Sequence, residues 1–202
     1  MAELDRRQAL GALAAGGLMG AAPAEPRLSD RVRVENEKPG TTEWQLTYAK
    51  FDTEAKYRQS LLEGYCDRMS VPAGGKLAVF VSAAAKAHAT LDVYRLGHYA
   101  GAGGRHVRTI GPFPVAPQPT PAVGECRLRE CKWEPSVTFE IPKDWVSGVY
   151  LGKLSCDAHR YQSYVVFVVT DDRPVDFLFQ CSTNTWQAYN KWPDMQSPIS
   201  LS

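Results

Sequence analysis

The chain has 202 residues, a formal net charge of +1 at pH 7 and 22% charged residues, which is enough for one good-sized domain, or one domain and part of another. The charged residues are spread along the sequence and form no basic stripe, so the composition argues against a nucleic-acid partner.

Residues 1–26 differ in composition from the rest of the chain. The pair Arg6-Arg7 precedes an apolar run of Ala, Gly, Leu and Met, and the small residues Ala22 and Ala24 form a cleavage pattern. This run is too short and too weakly apolar to span a bilayer, so it predicts an export signal and a mature protein without a membrane span. The arginine pair resembles a twin-arginine signal, which predicts a periplasmic or extracellular protein. A general secretory signal and an alanine-rich cytosolic helix are the alternatives.

Between residues 27 and 170, short segments of alternating apolar and polar residues are separated by Pro- and Gly-rich turn signals. About seven to nine strands with almost no helical periodicity indicate an antiparallel β-sandwich. The stretch 43–56 also fits a linker. The predicted strands cover residues 31–36, 43–48, two strands around a turn at 72–75 within 61–83, and then 90–94, 105–110, 135–142, 148–155 and 163–170.

The segment IPKDWVSGVYLGKL (141–154) resembles the late strands of immunoglobulin-like modules. In those modules a proline-led corner with an aromatic residue, here Trp145, leads into a strand of the form G-x-Y, here Gly148 to Tyr150. The sandwich is therefore expected to be immunoglobulin-like, an architecture that is more typical of binding or accessory modules than of catalysis.

Residues 171–202 have a different pattern. Val175 to Cys181 (VDFLFQC) is almost continuously apolar, as in a strand covered on both faces, and the cluster Ser-Thr-Asn-Thr at 182–185 supplies N-cap oxygens. The aromatic residues that follow recur every three positions, which places them on one side of a helix before Pro193: Trp186, Tyr189 and Trp192. This pattern predicts the first βα unit of an α/β domain, incomplete because too few residues follow Asp194 for a crossover connection.

The other reactive residues have ordinary interpretations. The glycine-rich GHYAGAGGR (97–105) lacks the context of a phosphate loop and favours a tight crossing at the sheet. The histidines share no metal-ligand spacing, and Cys181 lacks the small neighbours of a nucleophile elbow, which favours core packing. A disulfide between Cys126 and Cys131 is permitted in an oxidising compartment, and the odd number of five cysteines leaves one unpaired. The chemistry of Tyr189 allows a hydrogen bond to a substrate or ligation of a hard metal, although aromatic packing is favoured.

Five runs resemble the large (β) subunit of N,N-dimethylformamidase and its relatives: EGYCDRMSVPAGG, VYRLGHYAGAGGR, WEPSVTFEIPKDWVSGVYLGKL, YQSYVVFVVTDDRP and DFLFQCSTNTWQAYNKWPD. The resemblance covers most of the chain from about Arg31 to Asp194 and then fades. It implies an immunoglobulin-like sandwich, an α/β domain related to glutamine amidotransferases, and hydrolysis of amide C–N bonds at an iron held by two tyrosines and a glutamate.

Within that resemblance, Tyr189 corresponds to the first tyrosine ligand, and the other two ligands have no counterpart here. The chain is therefore expected to be the N-terminal part of an amide hydrolase, to hold no iron and to be inactive unless it is completed in trans. Its expected partners are a small amide substrate and either a small subunit or a second copy. The alternative is an exported, non-enzymatic β-sandwich that works as a binding module.

Overall fold

A computed structural model describes residues 30–50, 58–125, 128–175, 177–190 and 192–193. The predicted export signal, with Arg6, Arg7, Ala22 and Ala24, lies outside the described residues. The elements, in chain order, are α1 (Asp30–Asn36), β1 (Leu62–Cys66), β2 (Ser70–Pro72), β3 (Lys76–Ala83), β4 (Ala87–Leu96), a 3-10 turn (Tyr99–Gly101), β5 (Gly104–Val115), β6 (Val137–Glu140), β7 (Gly148–Cys156), β8 (His159–Thr170) and α2 (Thr183–Ala188).

The strands form two sheets, with the order β1-β3-β6 in one and β2-β8-β7-β4-β5 in the other. All neighbours are antiparallel except β2, which lies parallel to the end of β8. The predicted mainly β fold is thereby confirmed. The strands predicted from 90 to 170 are present, with β4, β5 and β8 longer and β6 shorter than predicted, whereas residues 61–83 form three strands instead of two.

Apolar side chains from both sheets form one core between the two layers. Along β3 the buried positions alternate through Leu77, Val79 and Val81, and on the facing sheet Leu91 and Phe167 are fully buried. The layers approach closely at a glycine, since a Cβ added to Gly64 of β1 would lie 2.8 Å from Cδ1 of Leu154 on β7. The apolar and polar residues that alternate in the sequence are therefore the core-facing and solvent-facing residues of the strands.

The expected immunoglobulin-like corner is present where the chain enters β7. The buried Tyr150 donates its hydroxyl proton to the carbonyl oxygen of Val146 at 2.7 Å, and Trp145 stacks on its ring with centroids 4.7 Å apart. A hydroxyl that bonds the backbone four residues earlier is the arrangement of a tyrosine corner.

Residues 31–36 form a helix, so the strand predicted there is wrong. Asp30 lies in the first turn of α1, and Arg33 contacts both Asp30 (3.6 Å) and Glu37 (2.6 Å), the i,i+3 and i,i+4 spacings of a helix. The alternating Val32 and Val34 are exposed, at 41% and 42%. The residue that α1 buries is Glu35.

Glu35 connects α1 to the sandwich through a buried polar network. Its carboxylate, only 2% exposed, accepts hydrogen bonds from Tyr99 (3.0 Å), Arg105 (2.7 Å) and Lys38 (2.7 Å). Arg95 in turn donates to the Tyr99 hydroxyl at 3.0 Å. A buried carboxylate is tolerated in this position because cations and a hydroxyl surround it.

The strand predicted at 43–48 is also absent. Residues 41–48 cross the outer face of the five-stranded sheet and are held there by single contacts, among them the bond from the Trp44 indole to the Ala102 carbonyl at 3.0 Å. Trp44 lies on Gly103 and Gly104, where an added Cβ would come within 3.1 Å and 2.6 Å of its ring. The glycine-rich loop connects the antiparallel neighbours β4 and β5, and Gly103 and Gly104 leave room for the Trp44 ring.

The strand predicted from Val175 to Cys181 is not formed. Phe177, Leu178 and Phe179 are 93%, 86% and 84% exposed, and the described residues of this segment pair with no strand. A strand that is apolar on both faces needs neighbouring elements to cover both faces, and the sandwich offers none to this segment.

In the part of the chain that the structure describes, no helix has the length and hydrophobicity that a membrane span requires.

Candidate functional site

Tyr189 lies at the C-terminal end of α2. The helix begins after Ser182, whose side chain makes no capping hydrogen bond, and it ends at Ala188, so that Tyr189 is its C-cap residue. The Tyr189 backbone N–H donates to the Thr185 carbonyl at 3.0 Å, while the side chain is 70% exposed. The candidate ligand is thus fixed by its backbone, and its phenol faces solvent.

The three aromatic residues that were predicted to share one side of a helix separate in the structure. Trp186 lies within α2 and is partly exposed, but Trp192 lies beyond the end of the helix. Trp192 packs against residues of the sandwich, among them Trp133. The short length of α2 is the reason that the three-residue spacing does not place them on one helix side.

Trp192 is held by residues from two distant parts of the chain. Its ring meets Trp133 edge to face, with centroids 5.8 Å apart, and the Arg58 guanidinium lies 5.1 Å from its centroid. The indole N–H donates to Glu63 at 3.2 Å, and Arg58 completes the cluster by donating to the same carboxylate at 2.5 Å and 3.0 Å. We call these four residues the Trp192 clasp; it fixes the end of the described chain on edge strand β1.

An open groove of about 740 Å³ lies between β1, β8 and α2. This volume falls in the range of small-molecule sites. The amides of Asn184, Gln187 and Asn190 border it on the side of α2. Its other lining residues are Glu63, Gly64, Tyr65, Cys66, Met69, Leu128, Arg129, Cys131, Trp133, Tyr164, Val165, Val166, Ala188 and Trp192.

Two cysteines line this groove as neutral thiols. Burial, with a smaller contribution from Asp67, raises the pKa of Cys66 to about 12. Burial and the charge of Glu63 also raise the pKa of Cys131, against an opposing effect of Arg58. Because the thiolate is the nucleophile, neither residue is suited to nucleophilic catalysis at neutral pH.

Of the other described cysteines and histidines, Cys156 and His159 are in contact, with the thiol sulfur 3.5 Å from the imidazole Nε2. Among the described cysteines, Cys66, Cys131, Cys156 and Cys181 are free thiols, whereas Cys126 lies outside the described residues. Cys181 is half-buried in the irregular segment before α2. Within the described ranges, no group of three or more His, Cys, Asp and Glu side chains is arranged to hold a metal ion.

The residues described near Tyr189 do not fit a mononuclear iron site. A metal site of this kind needs several convergent oxygen or nitrogen donors, and a buried pocket to hold them. The structure places Tyr189 alone among the expected ligands, largely exposed at the end of a six-residue helix. We therefore derive no catalytic step through iron from these residues.

The sequence alone did not point to the Trp192 clasp. Arg58, Glu63 and Trp133 come from separate segments, and no local spacing connects them with Trp192. The alternation in LEGYC places Glu63 and Tyr65 on the same side of β1. From the sequence, this alternation was the available indication that β1 contributes residues to the groove.

Comparison with known proteins gives one family. The family model described as N,N-dimethylformamidase beta subunit-like, C-terminal, matches residues 90–197, which is more than half of the chain. The matched range begins within β4 and extends past α2, so it includes strands β5 to β8 and Tyr189. No curated protein matches the sequence.

Proposed function

Because the chain belongs to the N,N-dimethylformamidase beta subunit-like family, we propose that it forms part of an enzyme that hydrolyses the C–N bond of small amides. The observation that carries this proposal is the family match over residues 90–197, because it covers both the later strands of the sandwich and the segment that contains Tyr189. In this proposal Tyr189 is one phenolate ligand of an iron site.

The remaining ligands, a second tyrosine and a glutamate, are proposed to come from a partner polypeptide. Two features of the structure support a partner near Tyr189. The phenol is exposed and can approach a second surface, and Phe177, Leu178 and Phe179, in the segment before α2, present apolar area to solvent. Exposed apolar patches of this kind mark interaction surfaces.

Purified protein provides the first test. We expect the chain alone to bind no stoichiometric iron after incubation with ferric salt, and to release no formate from formamide or N,N-dimethylformamide. Tyr189→Phe should leave both results unchanged. One equivalent of iron together with amide turnover in the purified chain would show that its own residues complete the site and would refute the need for a partner.

A non-enzymatic binding module is the second candidate function. The groove of about 740 Å³ favours it, because Tyr65, Trp133 and the amides along α2 provide stacking surfaces and hydrogen-bonding groups without a catalytic cluster. The two functions differ in one measurable respect: only the first requires that amide hydrolysis in the producing cell depends on Tyr189.

We also propose that the protein is exported, since Arg6-Arg7, the apolar run and the Ala22-x-Ala24 pattern support a cleaved signal. N-terminal sequencing of the protein from the producing cell should begin at Glu25. Replacing Arg6 and Arg7 with lysines should cause the uncleaved precursor to accumulate inside the cell. A mature protein that begins at Met1 would contradict export by this signal.

A further inference from the structure

The groove beside α2 lies where both sheets of the sandwich leave a strand edge unpaired. In the order β1-β3-β6, strand β1 has a neighbour on one side only. In the other sheet, β2 covers β8 only at residues 168–170. Residues 63–66 of β1 and 164–166 of β8 line the groove, so both unpaired edges border the same space.

On β8 the backbone groups of two residues point into this space. Alternate residues of a strand direct their N–H and C=O groups to opposite edges, and the pairing of β8 with β7 is regular from residue 163 to 169. The Val168 N–H points away from β7, because it donates to the residue before β2 at 2.9 Å. Tyr164 and Val166 point the same way, and no hydrogen bond from the described part of the chain reaches their backbone groups at that edge. We call these two residues the β8 gap.

The β8 gap is bounded at both ends by residues whose outer edge is already paired. At one end the Gln162 N–H donates to the Tyr48 carbonyl at 2.8 Å, and the Gln59 side chain donates to the Gln162 carbonyl at 2.6 Å. At the other end β2 begins. The gap therefore has room for only a few residues of an added strand.

The unpaired edge of β1 adjoins the β8 gap. The Asp67 N–H donates to the Ala78 carbonyl of β3 at 3.0 Å, so the alternate residues Gly64 and Cys66 direct their backbone groups away from β3. Gly64 has no side chain, so the atoms with which it lines the groove are backbone atoms. A Cβ added to Gly64 would lie 3.0 Å from Cγ1 of Val165, which shows how close the two edges are. Unpaired edges of this kind are templates for a further strand.

The wall opposite the strands carries side chains that match a peptide backbone. Asn184 and Gln187 are three residues apart, a spacing that places them on one side of α2, and Asn190 follows beyond the helix. A carboxamide has both donors and an acceptor, as a peptide group does. An extended chain between β8 and α2 would therefore meet hydrogen-bonding groups along both of its edges.

The charges of the groove are engaged within the protein. Glu63 accepts hydrogen bonds from Arg58 and from the Trp192 indole. Arg129 donates to the Pro121 carbonyl at 3.1 Å. The other lining residues are uncharged. The lining therefore favours a ligand without charge, since a charged one would lose its hydration without gaining an ion pair.

We propose that the groove binds a short, uncharged peptide in extended conformation, which fills the β8 gap as an added strand in line with β2. The peptide backbone pairs with Tyr164 and Val166, and its outer edge meets the carboxamides of α2. In strand addition, main-chain hydrogen bonds provide affinity and alternate side chains provide specificity. Residues of α2 and of the segment 128–133 wall the groove, so that a single chain fits and the edge of a folded sheet does not.

The inference gives a ligand class to the groove that favours the second candidate function, and it does not depend on amide hydrolysis. Formate release tests the hydrolysis, and peptide binding tests the strand addition, so that failure of one is distinguishable from failure of the other.

The test is an NMR titration of the full chain with the peptide acetyl-Thr-Val-Thr-Val-Thr-amide. The reference is the same peptide with a methyl group on every backbone nitrogen, which keeps the side chains and removes the N–H donors. At millimolar peptide we expect saturable shifts at the backbone amides of Tyr164 and Val166. Hydrogen exchange of these two amides should slow by about tenfold or more. The methylated peptide should produce neither effect.

Gln187→Ala should weaken binding about threefold, as expected for the loss of one neutral hydrogen bond. Thr185→Ala is the matched control, because Thr185 is exposed on the same helix and does not line the groove, and it should leave the affinity unchanged.

Three results would overturn the inference. Equal binding of the methylated peptide would mean that side chains, and not the strand edge, hold the ligand. The absence of saturable shifts at Tyr164 and Val166 would mean that the β8 gap accepts no strand. Binding that appears only after removal of residues 195–202 would make the chain's own end the occupant.

Discussion

At the scale of single residues, one hydroxyl secures the corner that leads into β7. The hydroxyl of Tyr150 is the donor to the buried Val146 carbonyl, and burial raises the pKa of this tyrosine so that it remains a donor. We expect Tyr150→Phe to lower the free energy of unfolding by about 0.5–1.5 kcal/mol, because the Val146 carbonyl loses its shorter hydrogen bond and keeps only the one from Arg95 at 3.3 Å. Urea unfolding measures the change. Tyr48→Phe, at a half-exposed residue, should change it by less than about 0.5 kcal/mol, and equal effects would argue against the corner.

Glu35 gives a second prediction for single residues, with a defined pH dependence. Burial alone would raise its pKa, but hydrogen bonds from Lys38, Arg105 and Tyr99 outweigh burial and lower the pKa below the ordinary 4.5. A carboxylate with a lowered folded-state pKa stabilises the protein above the unfolded pKa, and this contribution is lost as the pH falls through the folded pKa. Stability should therefore decrease on acidification below about pH 4.5, and less steeply in Glu35→Gln.

At pH 7, Glu35→Gln should cost about 2–3 kcal/mol, since it removes hydrogen bonds to charged groups. Glu37→Gln is the control on the same helix, because Glu37 is exposed and its bond to Arg33 is a surface ion pair worth less than about 1 kcal/mol. Denaturant unfolding at pH 7 and at pH 3–4 gives both quantities. An equal pH dependence in wild type and Glu35→Gln would exclude Glu35 as its source.

At the scale of elements, the Trp192 clasp holds α2 against the sandwich. A six-residue helix is too short to be stable alone, so its order should depend on this contact. We expect Trp192→Ala to speed hydrogen exchange of the amides in Thr183–Ala188 by about tenfold or more, with exchange in β7 and β8 unchanged. Trp186→Ala provides the comparison with a tryptophan outside the clasp. Equal protection of α2 in wild type and Trp192→Ala would show that other contacts hold it.

The exposed segment before α2 gives a second prediction for an element. Phe177 and Phe179 are almost fully exposed, and contiguous exposed apolar residues promote self-association. The double substitution Phe177→Ser and Phe179→Ser should raise the soluble concentration without lowering the unfolding midpoint. Light scattering with parallel urea unfolding tests both parts. A loss of stability would mean that these rings pack in the folded protein.

For the whole molecule, the sequence was sufficient to predict the sandwich but not the elements at its margins. Strand alternation in β3, β4 and β8 reports burial directly, so these strands were predictable. The same alternation at Val32 and Val34 was misleading, because a buried polar network at Glu35, and not apolar burial, places α1. The strand predicted from Val175 to Cys181 was wrong because apolar residues alone do not form a strand where no neighbouring strand is present.

The candidate site was only partly predictable. Tyr189 was found through the family resemblance, and its exposure depends on where α2 ends. The groove and the Trp192 clasp depend on long-range topology, which brings Arg58, Glu63 and Trp133 to one edge of the sandwich. Local sequence spacing does not predict contacts between such distant residues, because strand order and register determine those contacts.

The most direct test of the central proposal is formate release from N,N-dimethylformamide by the fraction of the producing cell that contains this protein. We predict activity in that fraction, its loss when Tyr189→Phe replaces the wild-type residue, and its retention with Tyr48→Phe as the tyrosine control. Full activity in Tyr189→Phe would contradict the assignment of Tyr189 as an iron ligand and the proposed function of the chain as part of an amide hydrolase.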